Sequence, residues 1–375
     1  MFAYFLLPIA CFYVGKIYEF KRVWFFQLFL LIVIGLFLCG GYMTGSDWRQ
    51  YEKDYTLIGS GGAVRYEAGY VLLNKVFNEL GFGFWPFLIL LKLFAFISVV
   101  LLFILFSKNY WLALGLFLSF NAYFMFIDNP LRNLMAASFL WLAAIAFNCG
   151  LLFISILLVF LASQFHLATL ICLPFIGLGM IGFEKTGKVF LTIMIAMFWV
   201  VFSNQSLIMG SAIWVLSLLN LSYVPSYFFD PDNLYTSGQQ FSVGLFLRAI
   251  LFFLILLNRE KLTKDNSAGE IAFNFSLIYL ITAKMALTVP ILGRVSMCFA
   301  PFFWIAFAQS TIFIRRSYRE VLIILMLMIS CVTVFSIISS SYKYVPYSNY
   351  LFYALIGDEL DYSFRSKYNP LESPF

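Results

Sequence analysis

Apolar residues run along this chain in unbroken blocks close to the ~20 residues a helix needs to cross a bilayer, separated by short clusters of charge, glycine and proline. Nowhere do apolar and polar positions alternate over a long stretch, so the blocks predict helices and exclude a β-barrel. Helices are predicted over 2–14, 23–43, 84–106, 110–127, 131–147, 189–203, 243–257, 271–289, 295–314 and 321–341. The block 151–183 is too long for one crossing. Ser163, Gln164 and His166 interrupt it, which predicts two helices meeting at one surface. Residues 207–223 read as a re-entrant or surface helix. The segment YEAGYVLLNKVFNEL places Glu67, Asn74, Lys75 and Asn78 on one face and Leu72, Val76, Phe77 and Leu80 on the other, the pattern of a helix lying on a membrane surface.

The charges between blocks orient the predicted crossings. Lys16, Lys21 and Arg22 mark the first link as cytoplasmic, which puts the N-terminus outside. Counting onward places Lys108, then Glu184, Lys185 and Lys188, then Arg259, Lys261 and Lys264, and finally Arg315, Arg316 and Arg319 on the inner side. Outer loops then fall at about 44–83 and 224–242, and an outer tail begins at about 342. The expected fold is all-α: one polytopic domain over 1–375 with about 12 transmembrane helices. The first block lacks a basic stretch before it and a small-residue cleavage site after it, so it is read as a helix, not a signal peptide.

Composition agrees with this reading and removes several classes of function. The 375 residues are 63% hydrophobic and 11% charged, with 47 Phe and a mean hydropathy of +0.92, far from a soluble domain. Cys11, Cys39, Cys149, Cys172, Cys298 and Cys331 lie in or beside apolar blocks without CxxC or Cys/His spacing. They read as small hydrophobes, and with a single histidine in the chain no metal site or other cofactor is expected. The net charge of +6 follows from the basic inner links and does not indicate a nucleic-acid partner.

Candidate chemistry gathers on the predicted outer side. FIDNPLRN, residues 126–133, offers Asn129 as a helix N-cap, Pro130 as the first helical residue and Arg132 in the first turn. A helix N-terminus attracts anions, and a guanidinium there adds a bidentate phosphate contact. Arg294 follows a proline in VPILGR and opens another helix, so two arginines suit a ligand with two anionic groups. Asp47, Glu67, Asp128 and His166 also fall at helix ends on that side. Lys92, Arg248 and Lys284 fall in the outer halves of helices, where a charge costs a few kcal/mol unless it faces water, which points to a basic outward cavity. Snorkelling to the interface accounts for any one of them singly. His166 is the residue suited to proton transfer near neutral pH, with Asp47 the alternative base and Glu67 able to bind sugar hydroxyls. In the tail, Tyr344 and Tyr347 offer amphipathic rings that stack on sugars or settle at the interface.

GSDWRQYEKDY and RYEAGY in the outer loop, NPLRNLMAASF, SQFHLATL, GRVSMCFAPF and the tail YKYVPYSNYL together resemble the EpsG-like family of bacterial polysaccharide polymerases, relatives of the Wzy polymerases. The resemblance spans most of the chain in order. It implies a fold related to GT-C glycosyltransferases and a metal-independent enzyme in the bacterial cytoplasmic membrane. That enzyme would join polyprenyl-diphosphate-linked oligosaccharide repeats at the outer face, for O-antigen, capsule or exopolysaccharide. On that reading Arg132 and Arg294 hold the leaving diphosphate, and His166 or Asp47 takes the acceptor proton. Lys284, Lys92 and Arg248 supply positive field, and a flippase and a chain-length regulator are the expected protein partners.

Two other classes also need a basic cavity or a membrane-embedded histidine. A lipid-linked oligosaccharide flippase or other transporter would carry polar residues at mid-membrane and on both faces, whereas here they cluster on one. A membrane O-acyltransferase would receive its donor through the membrane, and the inner links carry no conspicuous polar site for one.

Overall fold

The computed structural model describes residues 2–17, 24–128, 130–166, 169–170, 172–173, 176–177, 186–201, 242–264, 266–288, 292–340 and 343–356. The predicted segments 207–223 and, but for its last residue, 224–242, most of 164–183, and Asn129 and Pro290 lie outside them. In chain order the helices are α1 (Phe2–Ile17), α2 (Trp24–Cys39), α3 (Trp48–Gly59), α4 (Ala68–Glu79), α5 (Phe84–Phe106), α6 (Tyr110–Phe126), α7 (Leu131–Asn148) and α8 (Leu152–Ser163). Then come α9 (Lys188–Val201), α10 (Val243–Leu257), α11 (Arg259–Thr263), α12 (Ser267–Thr288), α13 (Leu292–Ile312), α14 (Arg316–Ser340) and α15 (Tyr350–Ile356). Among the described residues there is no strand, only an isolated antiparallel bridge between Gly41 and Asn349.

Among the described residues five helices, α5, α7, α12, α13 and α14, are long and apolar enough to cross a membrane, and α1, α2, α6, α8, α9 and α10 are shorter apolar helices. The chain is therefore a membrane-embedded helical protein. Phe2, Phe25, Phe29, Phe153 and Phe160 all point away from the interior, an arrangement that lipid tolerates and water does not.

Two compact units organise the chain. One comprises residues 1–169 and 314–375, the other 170–313. In the first, α1 packs on α6, α5 on α7 and α7 on α8, around the buried rings of Trp111, Trp141, Phe87 and Phe103. α6 is interrupted by a π-helical turn at Leu118–Ala122. Just beyond it, Tyr123 donates to the Tyr4 carbonyl at 2.7 Å, and Tyr4 in turn donates to the Tyr344 carbonyl at 2.7 Å. Three distant segments are thereby tied together. In the second unit α12 and α13 form the main pair, with Phe275 against Phe299 and Phe302, and Tyr279 against Phe303.

The stretch read as a polar outer loop contains a helix. In α3 the side chains of Trp48, Tyr51, Asp54, Tyr55 and Ile58 are buried at helical spacing, while Glu52, Lys53 and Thr56 look outward. α4 is the amphipathic helix expected there. Leu72, Val76 and Leu80 of its apolar stripe face away from the unit while Phe77 packs on Phe87, and of its polar stripe Asn74 and Asn78 face in while Lys75 is exposed. Asn74 is fully buried and bonds the Tyr70 carbonyl at 2.6 Å, and Asn78 reaches the Tyr55 carbonyl of α3 at 3.3 Å. The helix after FIDNPLRN begins one residue later than expected. Pro130 is its N-cap, at φ −73° and ψ 62°, and Leu131 its first turn.

Candidate active site

Two glycines bring the pieces of the site together. Gly45 has φ +83°, and a Cβ there would sit 2.4 Å from the Ile127 carbonyl oxygen, so only glycine lets the segment after α2 lie on the end of α6. Ser46 then gives both its N–H, at 3.0 Å, and its hydroxyl, at 2.9 Å, to Asp128. The second Asp128 oxygen receives Lys343 from the tail at 3.0 Å. Gly69, in the first turn of α4, donates its N–H to the Gln164 carbonyl at 3.0 Å, and a Cβ would lie 2.8 Å from the same oxygen. Phe165 stacks on Phe139 of α7, centroids 5.2 Å apart, which anchors the turn that carries His166.

These contacts converge on Glu67. It is the N-cap of α4 with extended backbone angles, yet its carboxylate does not cap its own helix. One oxygen accepts from Arg132 Nη1 at 2.6 Å, and the other faces His166 Nδ1 at 3.2 Å. A carboxylate only accepts, so Nδ1 carries the hydrogen and the Nε2 lone pair is left available. His166 is 7% exposed, and among the described residues Nε2 has no hydrogen-bond partner. A nitrogen that could take a proton, aimed by an acceptor on its far side, is the arrangement of a base with its orienting group.

Arg132 is gripped on several sides. Besides Glu67, it donates from side chain and backbone to the Tyr51 oxygen, and its guanidinium lies 4.4 Å from the centroid of the Tyr66 ring. Tyr66 donates its hydroxyl to Asp54, whose two oxygens also receive Gln50 Nε2 at 2.9 and 2.8 Å. Burial, together with Asp54, raises the Tyr66 phenol, burial raises Tyr51 against the opposing pull of Arg132, and burial raises Tyr70. All three stay neutral near pH 7. The expectation of Arg132 and a helix N-terminus open to an anion is thus modified: much of that donor capacity is already engaged, while Arg132 Nε remains buried without a partner among the described residues.

The other sequence candidates are distributed as follows. Asp47 is exposed at the N-cap of α3, with the Ser46 hydroxyl at 2.9 Å. Asp128 is buried in the Ser46 and Lys343 contacts. Lys92 is fully buried in α5 with Cys39 in electrostatic range, and among the described residues its amine has no hydrogen-bond partner. Tyr344 and Tyr347 turn inward: Tyr344 edges onto Tyr4, while Tyr347 stacks on Phe37 at 4.5 Å and donates to its carbonyl at 2.5 Å. Both rings pack on other side chains of the fold. Arg248, Lys284 and Arg294 belong to the other unit. There Arg248 lies 5.5 Å from the Tyr279 ring and Lys284 5.8 Å from the Trp199 ring, and Arg294 is half-buried in the first turn of α13.

Sequence reasoning missed Tyr51, Asp54 and Tyr66. The signal was the spacing Trp48, Tyr51, Tyr55, Ile58, which is helical, with Asp54 on the buried side. Among the described residues, no three His, Cys, Asp or Glu side chains gather to hold a metal.

The model of the EpsG family matches residues 22–350, a span that contains every residue of the cluster around Glu67. Comparison with curated proteins and with solved structures returned no match.

Proposed function

The chain belongs to the EpsG family, and from that premise we propose that it is a polymerase of lipid-linked oligosaccharide repeats. It transfers the growing glycan from polyprenyl diphosphate to a hydroxyl of the next lipid-linked repeat, at the outer face of a bacterial cytoplasmic membrane. On this reading the chain crosses the bilayer about 12 times, is related to the GT-C glycosyltransferases, and works beside a flippase and a chain-length regulator without a metal.

One observation carries the assignment of the site: the Glu67 carboxylate engages Arg132 and His166 together, and His166 Nε2 has no hydrogen-bond partner among the described residues. His166 Nε2 accepts the proton of the attacking hydroxyl, and Glu67 steadies the imidazolium as it forms. A positioned base of this kind contributes about 10² to 10⁴ in rate. Arg132, steered by Tyr66 and Tyr51, gives its remaining N–H groups to the departing diphosphate, and such charge-assisted bonds tighten as negative charge develops on the leaving oxygen.

The test is polymerisation by the purified full-length protein supplied with lipid-linked single repeats. A ladder of lengthening lipid-linked products from the wild type and its loss in His166→Gln are expected. An undiminished ladder from His166→Gln would overturn the assignment of the base.

A further inference from the structure

The Glu67 ion pair and the Tyr51 oxygen hold the Arg132 side chain at two points, and contacts along the edge of a planar guanidinium still leave its plane free to tilt about them. A second set of contacts removes that freedom. The Tyr66 ring covers one face of the guanidinium, 4.4 Å from carbon to centroid. Tyr66 itself is fixed at its far end, because its hydroxyl donates to Asp54. Asp54 is only 7% exposed, and its partners among the described residues, Tyr66 and Gln50, are neutral donors. Burying a carboxylate among neutral donors is costly and calls for a reason. The Tyr51, Tyr66 and Tyr70 rings lie 5.4 to 6.2 Å from one another, so Tyr66 cannot swing without disturbing both. A phenol that donates to a carboxylate also gains electron density in its ring, which strengthens its attraction for a cation over the face. With one face closed, the N–H groups along the edges of the guanidinium plane are left for a further anion, and the buried Nε has no hydrogen-bond partner among the described residues.

We propose that Asp54 and Tyr66 are positioning residues: together they set the plane of the Arg132 guanidinium so that its remaining N–H groups meet the diphosphate of a lipid-linked substrate. The proposal rests on the function given above and extends it to two residues that touch no substrate themselves.

The experiment is a titration of purified full-length protein with farnesyl diphosphate, a soluble probe that carries the prenyl diphosphate group. It compares the wild type, Tyr66→Phe, Asp54→Asn, Arg132→Lys and the two double variants with Arg132→Lys. Tyr66→Phe and Asp54→Asn are each expected to weaken binding roughly 3- to 10-fold. In the Arg132→Lys background the same substitutions should change binding by less than about 2-fold, because the planar group they orient is gone. Asp54→Asn preserves size and the Gln50 contact, and decides the matter if Tyr66→Phe lowers protein yield. Equal losses in both backgrounds would overturn the positioning role and leave the diphosphate site standing. Unchanged binding in Arg132→Lys itself would remove the diphosphate site, and the positioning role with it.

Discussion

Replacing Glu67 with glutamine keeps the shape of the side chain and removes its capacity to accept from two donors. An amide has one accepting oxygen. If that oxygen stays 2.6 Å from Arg132 Nη1, the NH₂ group faces His166 Nδ1, donor against donor. His166 then relieves the clash by moving its hydrogen to Nε2, the tautomer that cannot accept a proton there. The substitution thus removes a charge-assisted hydrogen bond that strengthens as the imidazole takes up charge, worth about 1.5 to 3 kcal/mol. At about 1.36 kcal/mol per decade this slows polymerisation roughly 10- to 150-fold. Protein level should hold, since Arg132 keeps Tyr51 and the Tyr66 ring. The assay is polymer length and amount in a deletion strain carrying the variant at matched expression, with Glu79→Gln, exposed at the far end of α4, as the control. Glu67→Asp, one methylene shorter, should fall between the two because it reaches only one partner well. Wild-type polymer from Glu67→Gln at normal protein level would refute the bridging role.

Arg132→Lys keeps the charge but loses the planar fork, and should cost roughly 30- to 1,000-fold in rate; Arg294→Lys tests the same idea at the second arginine, while Lys284→Arg, a swap that preserves charge, should cost far less. A silent Arg132→Lys, Arg294→Lys double variant in the same polymer assay would leave both as snorkelling residues. Gly69→Ala pushes a methyl group to within 2.8 Å of the Gln164 carbonyl and moves Glu67 off His166, so polymer should drop sharply while membrane insertion, read by immunoblot of membrane fractions, is kept. Truncation from Asp358 onward should be tolerated, and truncation before Tyr344 should abolish polymer, because the deleted segment holds Tyr4 through the Tyr344 carbonyl, Phe37 through the Tyr347 hydroxyl, and Tyr42 through the hydroxyl and backbone of Ser348. Cysteines placed at Ser60 and Ser237 should react with an impermeant thiol reagent in intact cells, and one at Asp265 should not; labelling of position 265 from outside would invert the orientation.

The long apolar helices were legible in the sequence because their signal is local: a block such as 84–106 specifies its own helix, and α5 spans those same residues. The helix α3 was not, because its polar composition outweighed a helical spacing that matters only once Trp48, Tyr51, Tyr55 and Ile58 have something to pack against. The same limit separated the candidates from their partners. Arg132, Glu67 and His166 could each be singled out, but 65 and 99 residues separate Glu67 from the other two, and nothing local reports that one carboxylate serves both. Tyr344 and Tyr347 show the converse: amphipathic rings in a tail suit a sugar or an interface equally well in sequence, and the fold spends them on Tyr4 and Phe37.

The central claim, that this EpsG-family chain polymerises lipid-linked repeats, is tested most directly by thin-layer analysis of lipid-linked intermediates in a strain lacking it. The account predicts that single repeats accumulate on the outer face of the cytoplasmic membrane, and that the wild-type chain, but not the His166→Gln variant, restores long products. Single repeats trapped on the inner face would identify a flippase, and full-length polymer in the deletion strain would contradict a polymerase altogether.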